Sequence, residues 1–233
     1  MSFNRDVNLA MLSVVASRLD KLKEQVVFLG GCTTGLFITD ASSADVRATM
    51  DVDLIVEVGI SHDFHAIESE MRKLGFKPDV VSGVRCRWVV EDIVVDLMPT
   101  DAAILGFSNR WYPDAIVHAV DEILPDGQRI RCVTAPYFIA TKIEAFHGRG
   151  KGDFMAAHDF EDIVTVIDGR EELYAEIMNS ELPLRQFIGE TFRLWTENHD
   201  FFIAVTGHLP PDSESQKRFS LLKRRMLALA TIR

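Results

Sequence analysis

Residues 26–58 read VVFLGGCTTGLFITDASSADVRATMDVDLIVEV, and this stretch is the most informative part of the chain. An apolar run enters a Gly30-Gly31 turn, and a second apolar run carries Asp51 and Asp53. Side chains two residues apart in a strand point to the same face, so these two carboxylates project together. They repel each other unless a cation or a shared proton lies between them. Because oxygen ligands suit Mg²⁺, the stretch predicts a metal-dependent phosphate site.

A third acid lies in a later apolar run. Residues 88–98 read WVVEDIVVDLM, and a pair of acidic residues divides two apolar runs, as is typical of a hairpin with a tight turn. Asp96 ends the second run, where an unpaired aspartate facing a dry core is costly. A position beside Asp51 and Asp53 on a neighbouring strand would explain it. The alternative is that Asp96 only begins a turn.

These motifs, in this order, resemble the nucleotidyltransferase superfamily that includes DNA polymerase β. Its signature is a hydrophobic residue before Gly-Gly or Gly-Ser, a spacer, an Asp-hydrophobic-Asp/Glu-hydrophobic motif and a later strand aspartate. The matching residues are LGGCT at 29–33, DVDL at 51–54 and VVDL at 94–97. Within the superfamily, the chain is most similar to the AbiEii-type toxin nucleotidyltransferases of bacterial abortive-infection and toxin–antitoxin systems.

The resemblance continues downstream, to about residue 168. ATKIEA at 140–145 resembles the lysine-bearing helix of the family, RGKGD at 149–153 its basic segment, and HDFEDI at 158–163 its Asp-x-x-Asp helix. The resemblance implies that nucleotide and phosphate groups are bound by Gly30, Gly31, Thr33, Lys142, Arg149, Lys151, Asp159 and Asp162.

The downstream residues also have a purely structural interpretation. Lys142 is equally typical of a helix lysine whose stem is buried and whose ammonium reaches solvent. Arg149 and Lys151 lie in a glycine-rich run, which predicts either an ordinary solvent loop or a mobile one that closes over phosphates. Asp159 and Asp162 share one helix face, and such pairs are common as charges near a helix N-terminus.

The resemblance also implies a reaction. Asp51, Asp53 and Asp96 are its expected catalytic residues and its expected ligands for Mg²⁺, with Mn²⁺ as a substitute. The donor is an NTP, and the acceptor is an RNA 3′ end, such as that of a tRNA, or a protein hydroxyl. A toxin of this type implies a cognate antitoxin as partner. A catalytically silent nucleotide-binding module and a two-metal nuclease or phosphodiesterase stay open as alternatives.

Two features depart from the superfamily pattern. The spacer between Gly31 and Asp51 is longer than in the shortest patterns, which implies an insertion at 39–48. Cys32 and Thr33 stand where the superfamily often has serine. The hydroxyl that would contact a phosphate is therefore expected from Thr33, or is absent.

The order of predicted elements indicates an α/β (α+β) fold with a mixed sheet and flanking helices, of nucleotidyltransferase-like type by the resemblance. Residues 1–132 are expected to form the catalytic domain. Residues 133–233 are expected to form a helical C-terminal domain, which by the resemblance completes the active site. The predicted helices are 7–24, 31–39, 63–74, 136–146, 159–167, 171–178, 183–198 and 213–230, and the predicted strands are 26–29, 50–58, 76–81, 84–90 and the run ending at Asp96.

Composition limits the function classes. The 233-residue chain has a formal net charge of −10, which argues against general binding to nucleic-acid phosphates. Five basic residues at 217–225 form either a local nucleic-acid contact or a solvated helix face. No apolar run reaches the ~18 residues of a membrane span and no signal peptide is evident, so a cytoplasmic protein without membrane contact is expected. Three cysteines without Cys-x-x-Cys spacing favour neither a disulfide framework nor a zinc site.

Overall fold

The computed structural model describes residues 3–58, 61–150 and 152–233, and within them seven strands form one mixed sheet. The strands are β1 (Val26–Leu29), β2 (Asp51–Val56), β3 (Lys77–Pro78), β4 (Arg87–Val90), β5 (Ile93–Pro99), β6 (Val120–Ile123) and β7 (Arg129–Cys132). Their order across the sheet is β3-β4-β5-β2-β1-β7-β6. β2 runs parallel to β5 and β1 parallel to β7, whereas the other neighbouring pairs are antiparallel.

The hairpin of β4 and β5 is confirmed, with a two-residue turn at Glu91-Asp92. Their φ angles are 47° and 66°, and positive φ at both positions suits a type I′ turn, whose twist matches that of the strands. Pairing proceeds outward from this turn and ends with Arg87 opposite Asp96. The turn therefore determines which side chain faces the third acid.

The chain folds into two compact units, and the first unit comprises Met1–Gly35 and Ala48–Thr134. It contains the sheet and α1 (Phe3–Leu19), in which apolar residues including Leu12 and Val15 are buried. The other helices that the structure describes wholly within this unit are α2 (Ser61–Lys73), α3 (Ala102–Leu105), α4 (Tyr112–Val117) and a 3₁₀ helix at Asp20–Glu24.

The helix predicted at 31–39 is wrong in type and length. The structure has a 3₁₀ helix at Gly31–Phe37, and the Thr33 N–H donates to the Gly30 carbonyl three residues back, at 3.1 Å. Two threonines and Gly35 in this segment have low α-helix propensity, which favours the shorter form.

The second unit comprises Leu36–Arg47 and Ala135–Arg233 and is helical. Its core includes Phe146, Phe154, Phe160 and Trp195, with Phe146 and Phe154 stacked at 5.0 Å between ring centroids.

The mixed α/β sheet followed by C-terminal helices confirms the predicted fold class. The helices in the described part of this unit are α5 (Ala135–Arg149), α6 (His158–Gly169), α7 (Leu173–Asn179), α8 (Leu182–Thr196), α9 (Phe201–Gly207), α10 (Ser213–Lys217) and α11 (Phe219–Leu229).

The segment Leu36–Arg47 belongs to the helical unit although it lies between two strands of the sheet in sequence. The backbone N–H groups of Thr39 and Asp40 both donate to the Gly169 carbonyl at the end of α6, at 2.8 and 2.9 Å. Most of the insertion predicted at 39–48 is therefore an ordered part of the second unit.

Arg218 connects the segment Leu36–Arg47 to α6 through hydrogen-bonded ion pairs. Its guanidinium donates to both oxygens of Asp168 at 2.9 and 2.8 Å and to Asp40 at 2.7 Å, and only 14% of its side chain is exposed. Hydrogen bonds from Ser42 and Arg218 lower the pKa of Asp40 to about 2. Arg225 likewise donates to the Ile167 carbonyl. Lys217 pairs with Glu214 and Lys223 lies over the Phe202 ring, so at least four of the five basic residues at 217–225 have partners within the fold.

No helix in the described part of the chain has both the length and the apolar character needed to cross a membrane.

Replacing Arg218 by alanine should lower the free energy of unfolding by about 3 kcal/mol, because it leaves the carboxylate of Asp168 buried without its guanidinium partner. Urea unfolding followed by circular dichroism measures the change. The matched control is Lys217→Ala, which removes a neighbouring charge from an exposed pair with Glu214 and should cost less than about 0.5 kcal/mol. Equal losses in both variants would contradict this assignment.

Candidate metal centre

Asp51, Asp53 and Asp96, called the triad below, lie together on β2 and β5. The parallel register places Asp53 directly beside Asp96, with Asp51 two residues earlier on β2. One ligand oxygen from each of the three carboxylates lies within 4.8 Å of the others. The neighbouring residues Val52 and Val95 are fully buried, because they point to the opposite face of the sheet. This cluster can hold a metal ion, and it is the arrangement that the sequence predicts.

Gly30 borders the triad. Its φ of +79° is in the left-handed region, and a Cβ added there would lie 1.7 Å from Oδ2 of Asp53. Only glycine therefore leaves room for this carboxylate beside the turn. β1 pairs with β2 so that Leu29 lies opposite Asp53, which brings the end of β1 and the following turn against the acid.

Arg87 forms a two-point ion pair with the triad. Its Nε donates to Oδ1 of Asp96 at 2.9 Å and its Nη2 to Oδ2 at 2.7 Å, while Nη2 lies 3.9 Å from a carboxylate oxygen of Asp51. Hydrogen bonding to Asp96 raises the pKa of Arg87 above its ordinary value. The guanidinium of Arg87 thus compensates the charge of Asp96 and lies near that of Asp51.

Two buried thiols lie close to the triad without being ligands. Burial, with the charge of Asp96 as the next cause, raises the pKa of Cys86 to about 11. Burial likewise raises the pKa of Cys32 to about 12, and its Sγ donates to the Asn8 carbonyl at 3.1 Å. Both thiols therefore stay protonated at neutral pH.

The turn around Gly30 and Gly31 is closed by Thr33. The Thr33 hydroxyl donates to the Gly30 carbonyl at 2.8 Å, and the residue is fully buried. Gly31 begins the 3₁₀ helix. On α1, the Asn8 side chain accepts a hydrogen bond from the Thr49 N–H just before β2, so this helix connects the turn with the acid strand. Contact between Thr33 and a phosphate stays a prediction.

The triad fits a divalent metal ion by its donor chemistry. It offers carboxylate oxygens only, which suit Mg²⁺, Mn²⁺ or Ca²⁺ better than a softer ion. The neutral thiols of Cys32 and Cys86 do not change this preference. The glycine at position 30 leaves the space that the Asp53 carboxylate needs in order to face a ligand.

Four of the other predicted site residues meet in the second unit, in what is called the Lys142 cluster: Lys142, Arg149, Asp159 and Asp162, together with Arg47. The Lys142 ammonium lies 3.2 Å from Asp159 and 2.7 Å from Asp162, and only 9% of its side chain is exposed. It is therefore a buried ion-pair partner, and the interpretation as a snorkelling lysine is wrong.

Arg149 and Arg47 complete the Lys142 cluster. Arg149 is the last residue of α5, so the prediction that it lies in a loop, whether an ordinary solvent loop or a mobile one, is wrong. Its guanidinium donates to both oxygens of Asp159 at 2.8 and 2.9 Å. Arg47 Nη2 lies 3.1 Å from Asp162, which is 1% exposed. Burial alone would raise the pKa of Asp159, but the Arg149 hydrogen bonds and the charge of Lys142 outweigh it and lower the pKa.

Lys151, the remaining predicted site residue, lies outside the described residues. Sequence reasoning did not identify Arg87 or Arg47. For Arg87 a signal exists, because counting outward from a turn at Glu91-Asp92 places it opposite Asp96. Arg47 and Asp162 are 115 residues apart in sequence, and no local pattern connects them.

No family model and no curated protein matches the chain. Among solved structures, the chain is similar to a crystal structure from H. pylori described as a "putative nucleotidyltransferase". The two chains are 12% identical, the TM-score is 0.45, and the match covers 98% of this chain and 91% of that one. Because identity and TM-score are this low, the function has to be inferred from the side chains of the site itself.

Replacing Gly30 by alanine should cost both stability and metal affinity. The left-handed backbone disfavours alanine by about 1–2 kcal/mol, and the new Cβ would displace the Asp53 carboxylate. Gly75→Ala is the matched control, since φ there is +92° and nothing lies within 4 Å of an added Cβ. Chemical unfolding should show a loss of stability in both variants, larger in Gly30→Ala because of the overlap with Asp53, and Mn²⁺ titration should show weaker binding only in Gly30→Ala. Equal Mn²⁺ affinities would contradict the placement of Gly30 at the site.

The ion pairs of Asp159 should make stability depend on pH in the acid range. A lowered pKa in the folded state means that the unfolded state takes up the proton more readily. The stabilisation is therefore present above the unfolded value of about 3.9 and is lost as pH falls through the folded value. Asp159→Asn should lower the free energy of unfolding by about 2 kcal/mol at pH 7 and by progressively less below pH ~4. Asp200→Asn, at an exposed acid of the same unit, should show no such convergence with the wild type.

Proposed function

We propose that this protein is a Mg²⁺-dependent nucleotidyltransferase that moves a nucleotidyl group from an NTP to an acceptor hydroxyl. The observation that carries the proposal is the triad on adjacent parallel strands, with the Gly30 backbone placed directly against Asp53. Carboxylates alone would fit several metal-dependent reactions. The glycine turn beside them adds a place where the backbone can come close to a triphosphate.

Each residue of the triad has a task in this proposal. Asp51 and Asp53 would hold the divalent ions. When bound, such ions would stabilise the attacking hydroxyl oxygen and the leaving pyrophosphate oxygen of an in-line displacement at the α-phosphorus. Asp96 is a further ligand and accepts the proton of the acceptor hydroxyl. Gly30 and Gly31 admit the phosphates, with Thr33 keeping the turn closed behind them.

The Lys142 cluster is also part of the proposal, with a smaller expected contribution to nucleotide affinity. Lys142 and Arg149 are proposed phosphate-binding cations, as is Lys151, with Asp159 and Asp162 as the acids that position them. Because Lys142 and Arg149 already pair with these two acids, a phosphate would have to compete with carboxylates for them. Their contribution to nucleotide affinity is therefore expected to be smaller than that of unpaired cations.

The proposal extends to the acceptor and the biological role. An RNA 3′ end, such as that of a tRNA, and a protein hydroxyl are both proposed acceptors. The AbiEii-type assignment, the toxin role and the antitoxin partner rest on the sequence motifs alone, and they stay predictions.

One observation favours a second candidate, a nucleotide-binding module without turnover. Both oxygens of Asp96 accept hydrogen bonds from Arg87, so this acid is engaged before any ligand binds. A silent module would keep this ion pair permanently. A transferase would have to open it.

The reaction is tested by incubating the full chain with each α-³²P-labelled NTP, Mg²⁺, and either total tRNA or cell lysate. We expect label in RNA or in protein for the wild type, and only background for Asp51→Asn and for Asp53→Asn, because each variant removes a carboxylate from the proposed metal ligands. Asp92→Asn is the matched control, since it makes the same chemical change in the exposed hairpin turn.

Three outcomes separate the candidates. Label transfer that depends on Asp51 and Asp53 supports the transferase. Release of nucleotides from prelabelled RNA with the same dependence would indicate a nuclease instead. Saturable NTP binding without either reaction would indicate the silent module.

A further inference from the structure

Arg87 occupies the position of a cation at the triad. The hairpin register sets it opposite Asp96, and its guanidinium uses two nitrogens on the two oxygens of that carboxylate, at 2.9 and 2.7 Å. The same Nη2 lies 3.9 Å from Asp51. Its side chain is 27% exposed and that of Asp96 is 12% exposed, so this is a partly buried, well-oriented pair.

A metal ion at the full triad would have to approach the same oxygens. Two-point arginine–carboxylate pairs are strong and directional, and they take up the accessible side of the carboxylate. A divalent ion bound to Asp96 would also stand close to the positive guanidinium and be repelled by it. Arg87 and a metal ion at Asp96 are therefore alternatives.

We propose that Arg87 is a built-in counter-ion that competes with metal for Asp96, so that the full triad binds metal only when Arg87 leaves this carboxylate. The inference deepens the proposed function and rests on it in one respect, the assignment of Asp96 as a metal ligand. Arg87 is in this account a positioning residue: it holds the Asp96 carboxylate in place on β5 through two hydrogen bonds and sets how tightly metal binds.

The test measures Mn²⁺ binding to the full chain after a chelator has removed any bound metal. Binding is monitored by the decrease in the electron paramagnetic resonance signal of free Mn²⁺. Arg87→Gln removes the charge but keeps a long polar side chain, and we expect Mn²⁺ affinity to rise by about tenfold, a change of ~1.4 kcal/mol. Arg87→Lys keeps the charge but loses the two-point geometry, so its Mn²⁺ affinity should lie between those of the wild type and Arg87→Gln. The matched control Arg85→Gln removes an exposed charge two residues away and should stay within about twofold of wild type.

The direction of the change is decisive. An arginine with a merely structural role would leave Mn²⁺ affinity unchanged or lower it when replaced, and either result for Arg87→Gln would overturn the inference. If Arg87→Gln folds poorly, the wild type gives the answer by itself: the nuclear magnetic resonance signal of the Arg87 Nε–H, assigned by its loss in Arg87→Lys, should move on Mg²⁺ addition. A signal unchanged at metal saturation would likewise contradict the competition.

A further variant separates this inference from the proposed function. Asp53→Asn should abolish tight Mn²⁺ binding in the wild-type and in the Arg87→Gln backgrounds. If Mn²⁺ binding depends on Asp53 but does not tighten in Arg87→Gln, the competition between Arg87 and metal is refuted, while the metal site itself is not. Absence of Asp53-dependent binding in every variant would refute the metal site, and with it the proposed function.

Discussion

Three carboxylates on two adjacent strands repel one another, and the first unit has to hold them together against that repulsion. The parallel register of β2 and β5 places Asp53 beside Asp96, while Val52, Leu54 and Val95 are fully buried on the opposite face. A one-residue slip of either strand would turn its apolar residues toward the acid face. Each side chain exposed in this way would cost roughly 1.5–3 kcal/mol. The apolar face of the sheet therefore keeps the acids in place, and the acids in turn attract a cation.

Charge balance distinguishes the two acidic clusters of this protein. In the Lys142 cluster, one ammonium and two guanidinium groups face Asp159, Asp162 and the nearby Glu161, so positive and negative groups are about equal in number. A further cation would gain little there, and loss of any partner would leave a buried charge uncompensated. At the triad, the guanidinium of Arg87 pairs with Asp96 and lies 3.9 Å from Asp51. The ion pairs of the Lys142 cluster thus stabilise the second unit, and the Arg87 pair fixes Asp96 in the first.

Local sequence patterns predict the part of the fold that depends on short spacings. β1, β2 and the hairpin follow from apolar runs, a spacing of two residues and a two-residue turn. The edge strand β6 lacks such a signal, because Val120 and Ile123 are both largely exposed and no buried face alternates with a polar one. The position of Leu36–Arg47 depends on the pairing of Asp40 with Arg218, which are 178 residues apart, so no local pattern indicates it. The acids of the site are predictable for the same reason as the strands, and the cations that pair with them across the chain are not.

Arg87 is the exception among these cations. Its position opposite Asp96 can be predicted from the sequence once the turn is known. Pairs step outward from Glu91-Asp92 one residue at a time, which brings Arg87 to Asp96. An aspartate at this place in a half-buried strand needs a compensating cation. Arg87 supplies one, and a metal ion bound at the triad would supply another. With no cation, repulsion within the triad would oppose folding; with full neutralisation, the triad would have no affinity for metal. The guanidinium of Arg87, bound to Asp96 and 3.9 Å from Asp51, reduces this repulsion without closing the cluster to a metal ion, so the strands can pair in the absence of a ligand.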